Sequence, residues 1–190
     1  MVHSIVIFAS GSGSNAENIA HYFQHRKDVE VRAIFCNNPK AGVIARAQRL
    51  QIPIEIFTRS EWQQEEAMLQ KLNKYEPTLI ILAGFLWLVP PYLLKAYPRI
   101  INIHPALLPK FGGKGMYGHH VHEAVLAAKE KQHGITVHFV NEHYDEGKHI
   151  LQKAFEVTPD DDLTSINVKI SKLEMEYFPK AIEAVIAAKE

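Results

Sequence analysis

Short runs that are apolar at every position, set between helix-length amphipathic stretches, restrict this chain more than any other feature. Ile5-Val6-Ile7-Phe8 and Leu79-Ile80-Ile81-Leu82 carry no polar face, the pattern of strands covered on both sides in a parallel sheet. Strand-like runs at residues 4–9, 29–35, 54–57 and 79–82 alternate with helical segments at 15–25, 41–50 and 61–74. That alternation is the signature of repeated βαβ units. The expected fold is α/β and Rossmann-like, a mostly parallel central sheet with helices on both faces.

The texture changes after a further strand at 100–103. A long loop rich in Pro, Gly and Lys covers 105–118, and a helix follows at about 121–129. Two strand-like runs, 135–140 and 150–155, are joined by the polar segment 141–149 and read as a late antiparallel strand pair. Thr158-Pro159-Asp160-Asp161-Asp162 supplies caps for a last helix starting near Leu163, with acidic groups at its positive end. Pro179 is expected to interrupt that helix near 177–179, because an interior proline removes a hydrogen bond and clashes with the preceding turn. With 190 residues and no internal repeat or linker, a single domain, 1–190, is expected, with halves 1–100 and 101–190.

Charge narrows the partners. Lys plus Arg is 21 and Asp plus Glu is 21, so no global basic field exists to gather nucleic acid or an anionic membrane surface. The longest apolar stretches fall far short of the roughly 20 residues that cross a bilayer. One cysteine, Cys36, permits no intrachain disulfide, and its apolar surroundings mark a buried thiol rather than a nucleophile. The opening residues show no charged-then-apolar leader, so a cytoplasmic protein acting on small molecules is expected, as a monomer or homodimer.

Three polar clusters fall at strand ends, where open parallel sheets bind ligands. The first is Ser10-Gly11-Ser12-Gly13-Ser14-Asn15, between the opening strand and helix, a position where backbone N–H groups favour a phosphate. Continued to Ala16, it satisfies the dinucleotide pattern Gly-x-Gly-x-x-Ala. The acidic residue that should follow about 20 positions on is replaced by Asn37 and Asn38, which disfavours a nicotinamide cofactor. The second cluster, Asn102-Ile103-His104-Pro105, places a carboxamide and an imidazole on one side of a strand end. Histidine titrates near working pH and asparagine can donate to an oxyanion, a combination suited to acyl transfer.

The third cluster is His143-Tyr144-Asp145-Glu146-Gly147. A carboxylate beside His104 would favour the imidazolium and orient the ring, and Asp145 is the candidate. A plain turn-forming role is its competitor, as is a functional Glu146; His138, embedded in a strand, also admits a structural role. A Ser-His-Asp hydrolase is set aside, since Gly11-Ser12-Gly13 is too short for a nucleophile elbow. A metal is set aside as well. His119, His120 and His122 cluster, but His-His-x-His is no standard zinc spacing and lacks a Cys or His-Glu-x-x-His companion.

Taken together, Gly11 to Asn15, Leu82-Ala83-Gly84-Phe85, Asn102-Ile103-His104-Pro105-Ala106-Leu107-Leu108-Pro109, Gly134-Ile135-Thr136-Val137-His138-Phe139-Val140 and Asp145-Glu146-Gly147 resemble the phosphoribosylglycinamide formyltransferase family of folate-dependent enzymes. The resemblance covers nearly the whole chain. It implies transfer of a formyl group from the cosubstrate 10-formyltetrahydrofolate to the amine of 5-phosphoribosylglycinamide, in purine biosynthesis, without a metal. Asn102, His104 and Asp145 take the family's catalytic places: the first two, with His104 protonated, hold the developing oxyanion, and Asp145 raises the His104 pKa.

The same resemblance implies that Gly11, Ser12, Gly13, Ser14 and Asn15 hold the phosphoribosyl substrate, with Glu174 contacting its ribose. It places the folate against Leu86, Trp87, Leu88 and Val89, with Asn141, Glu142 and Tyr144 beside the pterin. The first half is then the phosphate-binding part and the second the catalytic and folate-binding part. Trp87 departs from the arginine of better-known members, and the loop 111–119 looks longer, a mobile cover near the substrate. Competing functions are a formyltetrahydrofolate hydrolase, which usually carries a further regulatory domain, and a non-catalytic nucleotide-binding module. A transfer-RNA formyltransferase is disfavoured by the neutral charge and the lack of a basic second domain.

Overall fold

A computed structural model of the chain describes residues 2–188. It forms two compact units, Met1–Asn102 and Ile103–Glu190. The strands build a seven-stranded sheet in the order β3-β2-β1-β4-β5-β6-β7.

The first unit is a run of βαβ steps: β1 (His3–Ala9), α1 (Ser14–Phe23), β2 (Val29–Cys36), α2 (Val43–Arg49), β3 (Ile54–Ile56), α3 (Arg59–Gln63), α4 (Glu65–Asn73), β4 (Leu79–Leu82), α5 (Pro91–Ala96) and the start of β5 (Ile100–His104). Every pairing among these strands is parallel, with Ile5 opposite both Val31 and Leu79, and Leu82 opposite Asn102. β1 and β4 are the all-apolar runs, and both are buried throughout except at His3. Phe8 shows why such strands carry no polar face. Its ring lies 5.0 Å from Phe35, 5.8 Å from Phe57, 5.7 Å from Trp62 and 5.4 Å from Phe85, and burial of one such side chain is worth about 1.5–3 kcal/mol.

The second unit holds α6 (His119–Ala127), β6 (Gln132–Phe139), β7 (His149–Glu156) and α7 (Leu163–Ala187). β6 and β7 pair antiparallel, as their sequence pattern predicts, with a register shift between Val137 and His138. Asp162 caps α7 by accepting from the Ser165 N–H while Ser165 Oγ accepts from the Asp162 N–H, a reciprocal box.

Three elements differ from expectation. α7 runs unbroken through Pro179, because Phe178, Pro179, Ala181 and Ile182 are all buried, and packing of that face outweighs a proline cost of about 3 kcal/mol. The helix expected at 61–74 is two helices meeting at Gln64, whose ψ of 107° is extended. The Trp62 carbonyl there accepts from the Tyr92 hydroxyl at 2.8 Å, so a tertiary bond takes the place of the helical one. The short helix α5, for which the sequence reading gave no element, begins with Pro91 at its first turn, where a missing N–H costs nothing.

Candidate active site

The glycine-rich loop between β1 and α1 is held by its neighbours. Gly13 takes φ +79°, and a Cβ there would collide with Val43 at the start of α2. Val43 N–H donates to the Gly11 carbonyl at 3.1 Å, and Arg46 Nε donates to the Ser12 carbonyl at 2.8 Å. Arg46 and Arg49 both pair with Glu17, and chiefly the Arg49 hydrogen bond holds that carboxyl below the usual range against the opposing effect of burial. Asn38, standing where a dinucleotide fold has its acid, donates instead to the Ser10 carbonyl at 3.4 Å. Gly11, Ser12 and Ser14 are exposed and Asn15 half-buried.

The loop after β4 is stitched to this one. Ser10 N–H donates to the Gly84 carbonyl at 3.1 Å, and the Leu86 N–H donates to Ser10 Oγ at 3.2 Å. Residues 86–89 alternate: Leu86 and Leu88 are exposed by 46% and 39%, whereas Val89 is core. Trp87 packs on Phe57 and Phe85, and the Arg59 guanidinium lies 4.7 Å above its ring. The two exposed leucines give this loop an apolar surface.

In the second unit β5 ends in a buried titratable group. His104, 4% exposed, donates from Nε2 to the Phe111 carbonyl at 2.8 Å and turns Nδ1 toward Asp145 Oδ2 at 3.4 Å. Asp145 Oδ1 lies 3.6 Å from His138 Nε2, and Oδ2 accepts from the Gly113 N–H at 2.9 Å. His138 Nδ1 donates to the Phe139 carbonyl at 2.9 Å. Asp145 itself takes φ +59°, a left-handed conformation that aspartate tolerates better than most residues. It is thus a turn residue whose carboxylate meets both histidines.

Burial pushes the Asp145 carboxyl up, but His138, His104 and the Gly113 N–H outweigh it and leave it below the usual range. Burial also pulls His104 below the ordinary histidine range, and Asp145 and the Phe111 carbonyl only partly oppose that. The sequence-based expectation that Asp145 raises His104 therefore holds as a contribution and not as the net direction. The strand end is braced from behind by Thr136, whose Oγ1 donates to the Ala106 carbonyl at 2.7 Å and accepts from the Leu108 N–H at 3.1 Å. Gln152 Nε2 adds a bond to the Leu108 carbonyl at 2.9 Å.

The remaining candidates are placed as follows. Asn102 is half-buried, two residues before His104 on β5. Asn141 Oδ1 accepts from the His143 N–H at 3.0 Å in the β6–β7 loop, where Glu142 is exposed and Tyr144 half-buried. Glu174 is half-buried on α7. Sequence reasoning did not connect Phe111 and Gly113 to this group, and it left the role of His138, now 3.6 Å from Asp145, open. Thr136 and His138 are buried polar residues at alternate positions of an otherwise apolar strand, and that period was the available signal.

A buried histidine facing a carboxylate at the end of a Rossmann-like strand suits a group-transfer enzyme that moves protons. The chain belongs to the formyl transferase family, whose profile matches residues 3–182. Within that family it is 38% identical over 186 residues to the phosphoribosylglycinamide formyltransferase of Bacillus subtilis, covering 95% of this chain and 93% of that one. It is 34% identical to the chloroplastic enzyme of the same name from Vigna unguiculata, of whose length it spans 60%. The crystal structure of phosphoribosylglycinamide formyltransferase from Bacillus halodurans superposes with a TM-score of 0.88 at 33% identity, covering 98% of this chain and 97% of that one.

Proposed function

We propose that this chain transfers the formyl group of 10-formyltetrahydrofolate to the amine of 5-phosphoribosylglycinamide, a step of purine biosynthesis. The observation that carries the reading is the His104–Asp145–His138 group, in a chain whose relatives bear that activity by name. The loop 11–15 and Glu174 receive the phosphoribosyl substrate, the loop by offering an anion the amides of a helix start. Leu86, Trp87, Leu88 and Val89 form the apolar surface for the folate, with Asn141, Glu142 and Tyr144 at its pterin edge.

In this reading the amine nitrogen bonds to the formyl carbon and the formyl oxygen becomes an oxyanion, to which Asn102 donates. His104, kept neutral by burial and with its proton moved to Nδ1 beside Asp145, takes at Nε2 the proton that the attacking amine loses, once the Nε2–H bond to the Phe111 carbonyl has been given up. Asp145 stabilises the imidazolium so formed. The proton then passes to N10 as the carbon–nitrogen bond breaks and tetrahydrofolate leaves. The reaction needs no metal and no covalent enzyme intermediate. Among the described residues no helix is long and apolar enough to cross a membrane.

The test is tetrahydrofolate release from 10-formyltetrahydrofolate, followed by absorbance with and without phosphoribosylglycinamide. Release only with the amine, together with formylated product, supports the transferase. Release without it supports a hydrolase, and no release in either case favours a binding module.

A further inference from the structure

The first two turns of α6 present His119, His120 and Glu123 at the surface, one ligand atom of each lying within 4.8 Å of the others. Glu123 Oε2 is 3.7 Å from His120 Nδ1, and the imidazole centroids of His119 and His120 are 4.1 Å apart. The spacing brings Glu123 to each histidine, since residues three and four apart on a helix are neighbours; His119 and His120, adjacent in sequence, meet at the helix start. His122, the third member of the histidine run, takes no part: it is buried, and its Nδ1 lies 2.9 Å from His133 Nε2. Folding sets His122 aside and brings Glu123 to the other two histidines. The group stands outside the His104–Asp145–His138 cluster, and formyl transfer makes no use of it.

We propose that His119, His120 and Glu123 form a binding site for a divalent transition-metal ion, with zinc as its type, completed by water. Two imidazole nitrogens and one carboxylate oxygen are a donor set for zinc, nickel or copper; magnesium and calcium want more oxygen ligands than this turn offers. An ion held tetrahedrally at about 2.0–2.1 Å needs donors roughly 3.3 Å apart. All three side chains are exposed, so small rotamer changes close the distance without moving the backbone. The positive end of α6 opposes a cation, and the Glu123 carboxylate offsets it.

The ion joins the residues directly after Gly118, which has φ +54°, to the next turn of the helix. It thereby fixes the exit of the glycine-rich segment 112–118, whose Gly113 N–H is bonded to Asp145. Occupancy makes this end of the segment stiffer and the folded chain harder to melt.

The experiment is a calorimetric titration of zinc chloride into the untagged, chelator-stripped full chain, repeated with Glu123→Gln, with the double variant His119→Asn/His120→Asn, and with His143→Ala as a control for histidine binding elsewhere. One equivalent bound by the parent and the control, weakened about tenfold or more in both site variants, supports the site, as does a zinc-dependent rise in Tm that the site variants lose. No binding by the parent, or equal binding by parent and both site variants with unchanged circular dichroism, overturns it.

Discussion

His104 Nδ1 faces Asp145 Oδ2 at 3.4 Å while its Nε2 is bonded to the carbonyl of Phe111. Both ring nitrogens thus look at oxygen acceptors, although burial holds the ring below the ordinary histidine range. That balance suits a group that begins neutral and is stabilised once it gains a proton. Replacing His104 by Ala should lower kcat about 10²–10⁴-fold, and Asp145→Asn, which keeps the shape and removes the charge, should also lower kcat with little change in KM. Steady-state kinetics of the folded variants check this; near-parental turnover in His104→Ala sinks the mechanism.

Asn102 is expected to act on the oxyanion alone, and its side chain cannot titrate. Asn102→Ala should therefore reduce kcat about 10²–10³-fold and leave the shape of the pH–rate profile unaltered. A shifted pH profile would move Asn102 from oxyanion stabilisation to proton transfer.

His138 serves through Asp145, whose Oδ1 it approaches at 3.6 Å. It is among the groups that hold the Asp145 carboxyl low, so His138→Leu should let that carboxyl rise. The acid limb of kcat/KM would then move to higher pH, and His138→Gln should restore part of the activity. A mere packing role would lower activity evenly across pH, which a profile from pH 5 to 9 distinguishes.

Acid sensitivity should come from a second histidine pair. Burial, with the nearby charges of His122 and His104, brings His133 down to about 4, and His122 is lowered by burial too. The unfolded chain takes up protons near pH 6.5, so between pH 6.5 and 4 it binds more protons than the folded one and stability rises with pH. The contribution is fully present above about pH 6.5 and lost as pH falls toward 4, on the order of 3 kcal/mol for His133. Urea unfolding at pH 4.5, 5.5 and 6.5 should show that slope, and His133→Gln should flatten it.

Much of this was legible in the sequence wherever one local pattern decided the outcome. β4 spans Leu79–Leu82 because four consecutive apolar residues admit only a doubly covered strand. Asn102, His104 and Asp145 stood out as polar types at strand ends. What stayed hidden depends on tertiary contacts: the Tyr92 hydroxyl that ends α3, and the packing that carries α7 through Pro179. His138 was ambiguous for a similar reason. The register shift beside it in β6 is of the kind that re-aims a side chain, and no strand pattern reveals which partner it will meet.

The two loop glycines separate support of the site from contact with substrate. Gly13 has φ +79° and no room for a methyl group against Val43, whereas a methyl at Gly11 meets nothing within 4 Å. Gly13→Ala should destabilise the fold by about 1–3 kcal/mol, since the strained backbone and the clash act together. Gly11→Ala should leave stability within about 0.5 kcal/mol yet raise KM for phosphoribosylglycinamide by narrowing the approach to the loop. Urea midpoints and KM values measured on both variants decide the matter: if Gly11→Ala binds that substrate as well as the parent does, the loop is a packing device and the phosphate is held elsewhere.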